Sequence, residues 1–250
     1  PAHGGANEIP AVVGNGNLMA GVRAFRGWRY NMARVGGLSA VVAPPYDVIG
    51  PELQESLLAR HPANVVRVEL SKEQPGDSER ENRYTRAARL LHDWKSEGTL
   101  IEDSDPAIYV CHQQFDAEGR TYTRRGFLAR LKLEPFGEGH VYPHEETMPG
   151  PKADRLKLYH ATGMNVSPVF GMYPDDNNEV QEILEDAIRG HTPLEAVDHL
   201  GVTSRVWPLH RHELVSRVCG LMGPRPIFIA DGHHRYETAI RYRDERRSAG

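Results

Sequence analysis

Only two of the 250 residues are cysteine, Cys111 and Cys219. That is too few for a disulfide scaffold or a four-thiolate zinc site. It suits a reducing compartment, so a cytoplasmic location is the expectation. No stretch approaches the run of about 20 apolar residues that a membrane span needs, and no membrane partner is expected. A basic surplus is also missing: 30 Lys and Arg face 34 Asp and Glu, for a net charge of −4. That balance argues against a nucleic-acid partner held by charge. No GxSxG elbow, HExxH helix or Walker-type glycine-rich loop occurs. What remains, with 39% hydrophobic and 26% charged residues, is a globular protein long enough for one large domain or two modest ones.

Histidine is the residue in excess, with thirteen copies, several of them clustered. It titrates nearest neutrality, binds metals and carries protons, so its clusters direct the search for chemistry.

The chain reads as mixed α and β, an α+β fold of small sheets with packed helices. Residues 1–20, rich in Gly, Asn and Ala without apolar period, predict a disordered leader. Residues 22–30 predict a half-buried extended segment. The spacing predicts a helix over 51–60 opened by Pro51, a strand over 64–70, and an amphipathic helix over 78–98 ended by Gly98. Residues 107–115 and 121–133 predict a hairpin about Asp116–Gly119, followed by an aperiodic loop over 134–153. Beyond it lie a short helix (154–163), a strand (166–173) and a helix (179–189). A hairpin about Gly201, a helix (212–221) and a buried strand (226–230) follow, and residues 236–247 predict a last helix. Two subdomains, 21–175 and 176–250, are one expected division. The chain stops directly after its last helix with no closing strand, and a missing C-terminal part is expected from that.

Three stretches carry chemistry. In IFIADGHHRYET (227–238) an apolar strand meets an Asp-Gly turn and then a helix, which aims backbone N–H groups and the positive end of a helix dipole at one point. Asp231 there can hold a metal, Gly232 lets the backbone bend or a ligand approach, and His233, His234 and Arg235 add cationic groups. Adjacent histidine rings diverge, which argues against their joint hold on one metal. In HVYPHEETMPGPKADR (140–155), His140, His144, Glu145, Glu146, Lys152, Asp154 and Arg155 gather on irregular backbone. Pro143 argues against the helix that would align His140 and His144 for zinc, so general-base activation of a hydroxyl is the expected chemistry. In VAPPYDVI (42–49), two prolines fix the directions of Tyr46 and Asp47. Arg23, Arg26 and Arg29 do not share a strand face, and the cysteines read as core fillers.

Taken in order, VAPPYDVI (42–49), RRGFLARLKLE (124–134), HEETMPGPKADRL (144–156), NVSPVFGMY (165–173) and IADGHHRYETA (229–239) resemble the domain of unknown function 1015 family from about residue 21 to 250. The DGHHR segment is also similar to the signature of the ParB/sulfiredoxin-like fold, in its free-serine kinase branch. That second resemblance implies a phosphate and substrate cradle at Asp231, Gly232, His233, His234 and Arg235, with a glutamate as general base. Glu145 or Glu146 is the candidate for it, beside His144. Tyr46, Asp47, Lys152 and Arg155 are further candidates for substrate or phosphate contact.

The expected activity is phosphoryl transfer on a small hydroxylated metabolite, with serine and phosphoserine the favoured pair. It would use Mg²⁺ at Asp231 and a nucleotide or pyrophosphate as donor. Hydrolysis of a phosphoester needs the same cradle, and a non-catalytic protein that binds a nucleotide or phosphometabolite is the alternative.

Overall fold

A computed structural model describes residues 21–250; the expected leader lies outside them. Helices and small mixed sheets alternate along the chain, an α+β fold. The strands are β1 (Val22–Arg23), β2 (Trp28–Tyr30), β3 (Leu100–Glu102), β4 (Ile108–Ala117), β5 (Arg120–Leu128), β6 (Arg130–Leu131), β7 (Val141–Tyr142), β8 (Phe170–Met172), β9 (Leu194–Val197), β10 (Thr203–Leu209) and β11 (Ile227–Asp231). The α-helices are α1 (Met32–Val35), α2 (Pro51–Arg60), α3 (Val66–Glu69), α4 (Arg83–Ser96), α5 (Pro149–Thr162), α6 (Glu179–Ile188), α7 (His212–Met222) and α8 (His233–Ser248).

The largest sheet has the order β5-β4-β10-β9, antiparallel throughout. Its β4–β5 hairpin turns on Glu118 and Gly119, both at positive φ (51° and 72°), the turn that matches the twist of paired strands. α6 and α7 pack on this sheet, where Ile108, Val110 and Leu209 meet Val180, Leu184, Val218 and Met222. A second core joins α4, α5 and β3 through Ala87, Leu91, Trp94, Leu100 and Leu158. A three-stranded sheet, β7-β11-β8, carries the site: β11 runs parallel to β7 and antiparallel to β8, and α8 covers it through Tyr236 against Val141 and Ile229. β10 pairs with β4, and β11 with β7 and β8, so a division at residue 175 would cut two sheets.

Several expectations are corrected. The alternating NVVRVEL is not a strand. Asn64 Oδ1 accepts the Val66 N–H at 3.0 Å while its amide donates to the carbonyls of Ala40 and Val42, which turns Val66–Glu69 into the single helical turn α3 with Val66 and Val68 fully buried. α4 begins at Arg83, because Asn82 and Thr85 form a capping box that fixes its first turn. α5 starts at Pro149, five residues before the expected helix. Prolines are tolerated in a first turn, whose N–H groups have no intrahelical partner. The segment 121–133 divides at Ala129, and its end pairs with β1. The extended segment 22–30 is two short strands, and 166–173 keeps only β8.

Candidate functional site

β11 ends at Asp231, Gly232 takes φ +93°, and α8 begins at His233. Glycine is required here twice over. The left-handed backbone disfavours any side chain, and a Cβ would meet the Arg235 guanidinium at 2.9 Å. No side chain caps α8, so the partial positive charge of its first turn is not answered by a capping oxygen.

The loop between β7 and α5 lies across this helix start. His144 Nδ1 hydrogen-bonds the Ile229 carbonyl at 2.7 Å; the carbonyl can only accept, so Nδ1 carries the proton and Nε2 is the free lone pair. The His144 backbone N–H donates to His233 Nε2 at 3.2 Å, and the Met148 N–H donates to His234 Nε2 at 2.9 Å. The two adjacent histidines thus turn to different partners. Glu145 Oε1 lies 2.9 Å from His233 Nδ1, and the rings of His144 and His233 stand edge to face with centroids 4.5 Å apart. The His233 side chain is fully buried, whereas half of the Glu145 side chain is exposed. Burial holds the His233 ring below the ordinary histidine range despite the Glu145 carboxylate beside it. Glu146 is exposed and stands outside this cluster.

Around the cluster the charges are paired. Arg235 is buried and donates to Asp231 Oδ2 at 2.5 Å and to the Pro168 carbonyl. Asp231, expected as a magnesium ligand, therefore shares its carboxylate with an arginine. Glu237, one helical turn on from His233, accepts from the Thr147 hydroxyl and from Lys152 Nζ at 3.1 Å. Burial pushes Glu237 up, and these two partners outweigh it and hold its carboxyl below the ordinary range.

The third motif meets the others at Arg155. This buried guanidinium donates to the Glu69 carbonyl at 3.0 Å and its carboxylate at 3.1 Å, and to Asp154 Oδ2 at 2.6 and 2.8 Å. Its centre also lies 3.9 Å over the Tyr46 ring. Arg155, expected as a phosphate ligand, is instead committed to two carboxylates. Asp47 is exposed. Glu69 in turn accepts the Ser167 hydroxyl at 2.5 Å. Glu69, Arg155, Tyr159, Asn165, Ser167 and Arg235 line a small cleft of about 20 Å³ between the Arg155 cluster and the first turn of α8. Tyr159 there is pushed up to about 12 by burial, with Glu69 adding to the shift. Arg26 and Arg29 pair with Glu102 and Asp103.

Glu69, Tyr159, Ser167 and Glu237 escape the sequence reading. Glu237 had a signal, since it lies four residues after His233 on one helix. Glu69 had none, because its segment reads as a strand.

Fold and site define an α+β protein in which a histidine–carboxylate cluster lies at an uncapped helix start. The chain belongs to the family described as Protein of unknown function (DUF1015), whose profile matches residues 22–250. No curated protein and no solved structure matches the chain, so the ParB/sulfiredoxin-like resemblance gains no structural support. Among the described residues no helix is long and apolar enough to cross a membrane.

Proposed function

We propose that the protein transfers a phosphoryl group to or from a small hydroxylated metabolite at the start of α8. One observation carries the proposal: the half-exposed Glu145 carboxylate is set against buried His233 at the first turn of an uncapped helix. The first-turn N–H groups and the helix dipole take the phosphate oxygens. Glu145 activates the attacking hydroxyl or water: its oxygen bonds to phosphorus as the phosphorus–oxygen bond to the leaving group breaks, and the proton leaves toward the carboxylate side. The metabolite body lies on the open surface beside the first turn of α8, because the cleft behind Arg235, at about 20 Å³, has room for little more than one water. Arg235 holds Asp231 and the Pro168 carbonyl in place. Serine and phosphoserine remain the favoured pair from the resemblance, with a nucleotide or pyrophosphate as donor. Magnesium prefers an all-oxygen shell, and a carboxylate shared with Arg235 is a poor protein anchor for it. The proposed reaction therefore has no step at a magnesium ion on Asp231.

Phosphorus NMR tests the reading. The protein is offered L-serine with ATP, ADP or pyrophosphate in turn, and phosphoserine alone in parallel. A new phosphorus signal that disappears in Glu145→Gln and persists in Glu146→Gln supports it. No change in any mixture, with a melting temperature raised by nucleotide, supports a binding protein instead.

A further inference from the structure

His144, Glu145 and His233 each bring a ligand atom within 4.8 Å of the other two. His233 Nδ1 is buried and has no hydrogen-bond partner, although Glu145 Oε1 is only 2.9 Å away. The contact is thus close without being directed as a hydrogen bond. Two ligand atoms each about 2.1 Å from one ion lie about 3 Å apart at the right angle of an octahedral shell and about 3.4 Å apart at the tetrahedral angle. The spacing of Nδ1 and Oε1 is that of neighbouring ligands on a metal. His144 is oriented as metal-binding histidines are: Nδ1 donates to a backbone carbonyl, which fixes the ring and leaves Nε2 free.

We propose that His144 Nε2, His233 Nδ1 and Glu145 Oε1 hold one divalent transition-metal ion. Two imidazoles and one carboxylate suit zinc, manganese or iron(II), whereas magnesium and calcium favour oxygen alone. His144 and Glu145 are exposed, so the ion keeps an open side for water or a substrate oxygen, the arrangement of a catalytic site. Lys152 and Arg235, the neighbouring cations, are each engaged by a carboxylate, Glu237 and Asp231. In the metal-free protein the His144 N–H contact to Nε2 favours a proton on Nδ1 of His233. The ion displaces that proton to Nε2 and gives up this 3.2 Å contact. The ion's role, unlike its binding, rests on the function proposed above. With the ion bound, Glu145 would serve as its ligand, and the ion would supply activation of an oxygen held at its open side.

The test is metal binding by itself. The full chain is stripped with chelator, dialysed against zinc or manganese alone, and measured by elemental analysis and calorimetry. One ion per chain is expected, with affinity at least tenfold weaker in Glu145→Gln and His144→Ala. Both residues are exposed, so these variants leave the buried His233 ring itself in the chain, and circular dichroism checks their folding. Cobalt(II) should give visible absorption bands that change in His144→Ala. A wild-type chain that binds no ion, or an ion that both folded variants retain unchanged, overturns the proposal. An ion bound without turnover of any phosphate substrate upholds the site and overturns the function proposed above.

Discussion

The Arg155 guanidinium lies 3.9 Å over the Tyr46 ring, so the VAPPYDVI segment and the middle of α5, more than a hundred residues apart, share one buried charge. Tyr46 supplies a face rather than a hydroxyl contact. Removing the hydroxyl in Tyr46→Phe should change the urea midpoint very little. Tyr46→Ala should cost about 1–2 kcal/mol through the lost stacking.

Arg155 itself neutralises buried Glu69 and half-buried Asp154. Arg155→Met removes the partner and leaves Glu69 charged in the interior, a loss of about 3–5 kcal/mol. Arg155→Met with Glu69→Gln should be more stable than the single change, which a double-mutant cycle by denaturation would read directly.

Acid should destabilise the fold through the same groups. Burial raises the Asp154 and Asp103 carboxyls, but Arg155 and Tyr84 on the first, and Arg29 and Tyr109 on the second, hold both below the ordinary 3.8. A carboxyl lowered in the folded state stabilises above its unfolded value and loses that contribution as pH falls through its folded value. Melting temperature should therefore be level with respect to these groups above pH 5 and drop below about pH 4. Asp103→Asn should lower the plateau and flatten the acid limb.

Gly232→Ala combines a left-handed backbone with a Cβ at 2.9 Å from the Arg235 guanidinium. We expect a loss of about 1–3 kcal/mol in chemical denaturation, because the start of α8 must shift. An unchanged melting temperature would show that the turn relaxes freely.

Asn64 is fully buried and makes three hydrogen bonds that join the 40–42 backbone to α3. Asn64→Ala leaves buried carbonyls without donors and should cost about 2–4 kcal/mol in chemical denaturation.

The candidate site was legible in the sequence where chemistry is local. The strand, the Asp-Gly turn and the helix after it follow from residue order, and the loop histidines and glutamates announce themselves by type. The partners were not legible. His144 and His233 are 89 positions apart, and nothing in either segment says which ring nitrogen meets which group. The sequence likewise assigned free phosphate-binding roles to Arg155 and Arg235, because a carboxylate that pairs an arginine across the fold has no signature in spacing.

By itself, the sequence determined the α6 and α7 helices, the two hairpins and the turn into α8, because apolar period, glycine and proline act within a few residues. Only the tertiary structure decided that NVVRVEL would be a helical turn, that α5 would open on Pro149, and that Glu145 would stand against His233. Those outcomes depend on side chains from distant segments that satisfy buried polar groups, and such pairings exist only once the chain has packed.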